Sequence, residues 1–270
     1  PEMDESGNGY AVIRFLPAPE GEDLPWVKLF SHAFQGPGGW YIENSLTTIG
    51  GKDPIGELNR ELWNSGNEAD KETVRKQKRK LSFYANIYVV KDPANPQNEG
   101  KVFLYKYGKK IFDKIMEAMQ PEFEDETPIN PFDFWQGANF KLKLKKVAGY
   151  WNYDSSEFDR VSPLLDDDEA MEAIWKKQYS LTAFTAPDQF KSYDELKKRL
   201  DYVLGSKSTR NVAQEETEYD NYAATEQKSV SEEDVMQKLE DSYKASKQVE
   251  STSTADDDDP MSYFSKLADS

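Results

Sequence analysis

Cysteine is absent from this 270-residue chain, and histidine occurs once, as His32. The first absence excludes disulfides, thiol nucleophiles and every cysteine-ligated zinc or iron–sulfur site. The second excludes a multi-histidine metal centre. Any Ser-His-Asp arrangement would depend on His32, whose surroundings, LFSHAFQG, carry no nucleophile-elbow pattern. No P-loop or GxGxxG phosphate loop is present. No apolar run approaches the roughly 20 residues of a membrane-spanning helix, and no signal peptide is visible, so a cytosolic protein without a membrane partner is expected. Tight carboxylate clusters fall only at a helix start and in the C-terminal region. The reading is therefore non-enzymatic, with no cofactor.

What is present is charge of both signs, unevenly placed. The formal net charge is −16. Residues 201–270 hold 17 acids and 7 bases, whereas residues 76–114 hold ten Lys/Arg against Asp92, Glu99 and Asp113. Such asymmetry points to a nucleic-acid-binding domain with an acidic tail. Aromatics are threaded through the basic stretch: Phe83, Tyr84, Tyr88, Phe103, Tyr105, Tyr107 and Phe112. Cations attract a phosphate backbone without reading sequence, and aromatic faces give unpaired bases a stacking platform. A plain hairpin with core aromatics and a solvated Lys edge has the same composition, and the pattern alone does not separate the two.

Taken in order, residues 10–16, 26–34 and 40–44 read as strands, the last two joined by QGPGG. Asp53 and Pro54 open a short helix as N-cap and first helical residue. Residues 64–72 read as a polar loop with Trp63 at its edge. Residues 83–90 and 101–107 form a hairpin around a long Pro/Asn/Gly turn, and 109–119 form an amphipathic helix that starts with Lys109 and Lys110. On the return strand Phe103, Tyr105 and Tyr107 share one face, and Val102, Leu104 and Lys106 the other; which face is buried stays open. Residues 139–150 alternate Phe140, Leu142 and Leu144 with Lys141, Lys143 and Lys145. This is a phosphate rail or a protected edge strand. Tyr150, Trp151 and Tyr153 follow at once. Residues 166–179 and 190–205 read as helices, with Gly205 closing the folded domain. Residues 206–270 read as a flexible acidic tail whose tip, Asp256, Asp257, Asp258 and Asp259 followed by Tyr263 and Phe264, suits partner docking.

The segments AVIRFLP (11–17), GGWYIE (38–43), the whole run 78–115, GANFKLKLKKVAGYWNYDSSEF (137–158) and FKSYDELKKRL (190–200) resemble the single-stranded DNA-binding, helix-destabilising proteins of T-even-type bacteriophages. The resemblance covers most of residues 11–204. It implies an α+β, mainly β chain: an OB-fold barrel core over 1–205, with an inserted subdomain at about 26–75, flanking helices and a disordered acidic tail over 206–270. It implies sequence-nonspecific binding of single-stranded DNA in replication, recombination and repair, in the cytoplasm of the infected bacterial host. Matching positions favour Arg14, Lys78, Arg79, Lys80, Phe83, Tyr84, Tyr105, Tyr150 and Tyr153 as DNA contacts, and Trp63 falls where the family has a Tyr. To these the residue patterns add Tyr107, Lys109, Lys110, the Lys141/Lys143/Lys145 row and Trp151.

Two departures from the family stand out. The resemblance implies a structural zinc of the kind that one His and three Cys hold in a member of that family. Here His32 sits at the matching His, and Asp53 and Gly56 stand near where a Cys pair would be, so the metal is expected to be lost and the loop held by Ile55, Leu58 and Leu62. The family's basic N-terminal segment, which gives cooperative coverage of DNA, does not precede Pro1, so only weak or concentration-dependent self-association along DNA is expected. The tail resembles the family segment that docks replication and recombination proteins. A tail-centred protein-interaction hub and a single-stranded RNA-binding regulator using the same groove are the rival readings.

Overall fold

Strand β4 (Lys80–Lys91) organises the sheet. On one edge it pairs first with β2 (Trp26–Gly36), through Phe83 opposite Lys28, and then with β1 (Asn8–Phe15), through Ile87 opposite Phe15. Its other edge carries β5 (Val102–Tyr107). A strand that serves two neighbours in succession along one edge must bend between them, and here it curls an antiparallel sheet into a half-barrel. The computed structural model in which this is seen describes residues 1–123, 125–147, 149–205 and 236–244. Pro1–Ser206 and Lys207–Ser270 separate into two compact units. The sheet belongs to the first; in the second, residues 236–244 are helical.

Among the described residues the sheet has eight strands in the order β3-β2-β4-β1-β6-β7, with β5 on β4 and β8 on β6. β3 is Gly39–Asn44, β6 Ala138–Val147, β7 Tyr150–Asn152 and β8 Glu157–Val161. β6 lies against β1 on one edge and against both β7 and β8 on the other. The expected strands are all present. The sequence pattern did not resolve β7 and β8, which are too short to show an alternation.

Phe15 is fully buried at the centre of the curl, with the rings of Tyr105, Tyr107, Phe132, Phe140 and Phe158 at centroid distances of 5.7 to 6.3 Å. A second cluster joins Phe34 and Tyr41 of the β2–β3 hairpin to Ile55 of α1 (Pro54–Asn64) and to Leu196, Leu200 and Val203 of the C-terminal helix of this unit. A third packs Leu16 and Phe134 against Met171 and Ile174.

The helices begin where local chemistry supplies acceptors for their free N–H groups. Asp53 caps α1 by accepting from Ile55 and Gly56, with Pro54 in the first turn. α2 (Glu68–Gln77) occupies most of the stretch expected to be a loop. It is polar all round and has no apolar stripe for a periodicity argument to find. Its support is an Asn67 cap, Glu68 and Asp70 in the first turn, Arg75 and Lys76 in the last, and Glu68 paired with Arg75 at 2.8 Å. α3 (Lys109–Met119) follows β5 directly. α4 (Asp168–Trp175) is shorter than the 166–179 expected, and Lys176 is its C-cap. The last helix, α5 (Tyr193–Val203), opens on a capping box of Ser192 and Glu195. Its end receives the β2–β3 turn: Gly38 donates to the Val203 carbonyl at 2.8 Å, and a Cβ on Gly38 would stand 2.1 Å from the Tyr202 oxygen.

Candidate nucleic-acid interface

The β4–β5 register sorts the aromatics of the basic stretch onto two faces. Phe83, Ala85 and Ile87 lie opposite Tyr107, Tyr105 and Phe103, and all six face the curl. Phe83 is 1 % exposed and stacks on Phe112 at 3.9 Å, while Tyr107 is 4 % exposed and stacks on Phe83 at 5.6 Å. Neither has a face left for a base, which corrects the expectation that both meet DNA: they are core. Tyr105 is half-buried beside Phe15 and Tyr107. Burial, and then the neighbouring Tyr153, push its phenol well above the usual range. Phe103 reaches the open mouth of the curl, where a cavity of about 170 Å³ is lined by Ile13, Ile87, Val89 and Leu142. The question left open by the alternation thus has a graded answer: this face passes from core at Tyr107 to surface at Phe103.

The opposite face carries Tyr84, with Lys106 directly across from it. The Lys106 ammonium stands 5.6 Å from the Tyr84 ring, and Phe184 stacks on that ring at 4.4 Å. Tyr84 and Lys106 line a cleft of about 620 Å³ with Leu29, Ser31, Ile42, Phe190 and Lys191, and Phe184 backs the Tyr84 ring. Lys80 pairs opposite Ser31 at its edge. Three acids line it too: Glu43 pairs with Lys191, Glu195 is held below its usual range by the Ser192 hydroxyl and backbone, and Asp188 accepts from the Gln189 side chain at 3.5 Å. Lys106, Phe184 and Lys191 were not singled out from sequence. Lys106 could have been, because alternation places it on the face opposite Tyr105. Phe184 and Lys191 come from distant chain, and nothing in the sequence signals them.

The basic run Lys78–Lys80 begins at the end of α2, and a buried hydrogen-bond chain fixes that point. Gln77, 3 % exposed, donates to Asn59 at 2.7 Å, and its carbonyl accepts from His32 Nδ1 at 2.9 Å. His32 Nε2 lies 3.4 Å from Asp53 Oδ1, and Ser45 donates to Asp53 Oδ2 at 2.7 Å. Burial pushes the Asp53 carboxyl up, but His32, Ser45 and the Ile55 N–H outweigh it and hold it at about 2. Lys78 and Lys80 are exposed, and the Arg79 guanidinium lies 4.1 Å over the Phe30 ring.

The donors around His32 do not fit the structural zinc that the family resemblance implies. Such a site needs four ligands, whereas one imidazole and one carboxylate meet here: His32 Nδ1 is taken by the Gln77 carbonyl, Asp53 accepts from Ser45 and Ile55, and only Nε2 is left without a hydrogen bond. Among the described residues no group of three or more His, Cys, Asp or Glu could hold a metal. Ile55 and Leu58 pack in the cluster beside this chain; Leu62 is half-buried on α1.

The Lys row of β6 projects outward as its alternation requires, but it is not bare. Lys141 pairs with Asp159 at 2.9 Å and Lys143 with Glu157 at 2.7 Å, whereas Lys145 is exposed. Beyond it β7 displays Tyr150, 80 % exposed, and Trp151, with Lys146 over the indole at 5.7 Å. Lys110 pairs with Asp154 at 3.0 Å and Lys109 with Asp113 at 2.9 Å. Trp63 is partly exposed on α1, under Lys71.

Arg14 is the plainest correction. It is fully buried, and its guanidinium donates to the carbonyls of Asp133 (2.9 Å) and Ser162 (2.8 Å) and to Asn139 (3.3 Å). Burial lowers it to about 10, partly offset by Asp133, so it remains a cation that ties β1 to the 133–139 and 162 segments instead of meeting phosphate. Gly137 leaves room for it: a Cβ there would stand 2.8 Å from Arg14 Nη2 and 2.3 Å from the Asp133 oxygen. The tail residues Asp256, Asp257, Asp258, Asp259, Tyr263 and Phe264 lie outside the described residues.

Comparison with known proteins agrees with these features. Residues 7–204 match the family described as gp32 DNA binding protein like. A protein named single-stranded DNA-binding protein from Enterobacteria phage T2 is 42 % identical over 219 residues, covering 78 % of this chain and 71 % of the relative. One of the same name from Enterobacteria phage T4 is 42 % identical over 212 residues, covering 76 % of this chain and 69 % of the relative. With the family matched from the first strand to the last helix of the sheet-bearing unit, the chain belongs to the gp32-like DNA-binding proteins.

Proposed function

We propose that this protein binds single-stranded DNA without sequence preference and, by mass action, destabilises duplex, protecting and organising single strands during phage replication, recombination and repair. The observation that carries this reading is the 42 % identity to the phage T2 and T4 proteins named single-stranded DNA-binding protein, over more than three quarters of the chain. The chemistry of the Tyr84–Lys106 cleft supports it. An aromatic ring with an ammonium beside it offers a base a stacking partner and a phosphate a counter-charge.

In this reading the half-barrel is an OB-fold. Lys78, Arg79, Lys80, Lys106 and Lys145 neutralise phosphate, and Tyr84, Tyr105, Tyr150, Trp151 and Tyr153 meet bases. The role is binding, not catalysis. Residues 206–270 act as an acidic partner-binding tail for replication and recombination proteins, within the cytoplasm of the infected host. No described helix is long and apolar enough to cross a membrane.

The test is a competition. Labelled oligo(dT) bound to the protein is challenged with unlabelled single-stranded DNA, single-stranded RNA of the same sequence and duplex. Single-stranded DNA is expected to displace the label at the lowest concentration and duplex at the highest. Equal displacement by duplex would contradict the proposal, and preferential displacement by RNA would redirect it to RNA.

A further inference from the structure

On the outer face of β6, Lys141 and Lys143 take no part in the DNA binding proposed above, which uses only Lys145 from this face. β1 and β8 flank this strand, and the two flanks differ in chemistry. On the β1 side Tyr10 pairs directly opposite Lys143 and is 39 % exposed. On the β8 side Glu157 pairs opposite Lys141, and Asp159 lies two residues along on the same face. Both acids reach the lysines, Asp159 to Lys141 at 2.9 Å and Glu157 to Lys143 at 2.7 Å. All four side chains are solvent-accessible, from 30 % for Lys141 to 58 % for Glu157. Lys145, one step further on the same face, is exposed and makes no ion pair with a described residue.

We propose that Glu157 and Asp159 are built-in competitors for the phosphate backbone, which hold the Tyr10–Lys141–Lys143 strip in reserve as a second contact strip for single-stranded DNA. The proposal rests on the DNA-binding reading above. A free surface cation that meets phosphate releases a condensed counterion into solution, and that release drives binding and sets its salt dependence. Lys141 and Lys143 have tethered carboxylates for counterions. For phosphate to take their place, the carboxylates must swing away, and they remain nearby as like charges. The strip therefore adds little to affinity or to the salt slope as it stands. It has the parts of a contact strip nonetheless: two ammonium groups with a tyrosine beside one of them, running toward Lys145 and the exposed rings of Tyr150 and Trp151.

The test uses the full chain and poly(dT), with two double variants at solvent-accessible positions, Glu157→Gln/Asp159→Asn and Lys141→Gln/Lys143→Gln. Thermal unfolding of each first shows that the fold is kept. The acid-neutralised variant is expected to bind more tightly than the unmodified protein. Its log K against log salt should steepen by about 1.4, the increment for two phosphates on a single strand. Its advantage should then shrink about sevenfold between 50 and 200 mM salt. The lysine-neutralised variant is expected to stay within about twofold of the unmodified protein. An unchanged slope in the acid-neutralised variant would overturn the proposal and leave the strip a structural ion-pair ladder. A large loss in the lysine-neutralised variant would also overturn it, because the lysines would then already be engaged by DNA. Failure of the unmodified protein to bind poly(dT) at low salt would instead defeat the underlying DNA-binding reading.

Discussion

At the scale of single residues, the side chains that look most functional divide into those that hold the fold and those that face solvent. Phe15, at the meeting point of five rings, carries the core of the curl. Phe15→Ala is expected to lower stability by about 3–5 kcal/mol in urea denaturation; a loss below about 1 kcal/mol would contradict its central place. Asp53 makes a pH-dependent contribution. Its carboxyl is lowered from 3.8 to about 2, so the fold favours the ionised form. The resulting stabilisation, about 2 kcal/mol, is complete above about pH 4 and disappears as the pH falls through about 2. In Asp53→Asn, where the cap is kept but the charge is lost, the stability difference from the unmodified protein should close over that window; a difference that persists at pH 2 would contradict the assignment. Because hydrogen bonds join β2, α1 and α2 around His32, excess EDTA should leave the unfolding midpoint unchanged. A fall of several degrees would show a metal taking part.

At the scale of elements, the sequence was most informative where period and capping agree. The strands around 10–16, 26–34, 83–90 and 139–150, and the helix opened by Asp53 and Pro54, could be read because each joins an apolar period to a turn or cap signal. α2 could not, because its support lies in charge pairs and an Asn67 cap, with no apolar stripe. The two faces of β5 could not be ranked, because the aromatic face is core at one end and open at the other, and only the depth of the curl decides where the change falls. Arg14 was ambiguous for a similar reason: an arginine in an apolar strand has the same pattern whether it points to solvent or into a ring of carbonyls from residues more than a hundred positions away. The Tyr84 face of β4 and β5 yields its own prediction. Lys106→Ala should reduce the salt slope of poly(dT) binding by about 0.7 with little change in stability, and an unchanged slope would place the ammonium off the phosphate path.

At the scale of the whole chain, family membership and local geometry support each other, and each supplies what the other lacks. The resemblance names a class of ligand but misassigns Arg14 and Phe83, which are buried. The geometry removes those two and Tyr107, and it draws attention to Tyr84 with Lys106 and Phe184, and to the exposed Tyr150 and Trp151. The net charge of −16 is compatible with DNA binding because acids and bases are segregated along the chain, and salt slopes count only the cations that meet phosphate. The most direct measurement is quenching of intrinsic Tyr and Trp fluorescence on titration with poly(dT) and with duplex of equal length, at several salt concentrations, for the unmodified protein and for Tyr84→Ala. Strong, salt-sensitive quenching by the single strand and little by the duplex is predicted, with the variant binding more weakly by about 1–3 kcal/mol, the worth of one stacked base. Equal affinity in the variant would move the binding surface away from this cleft, and an absence of quenching at low salt would contradict the account as a whole.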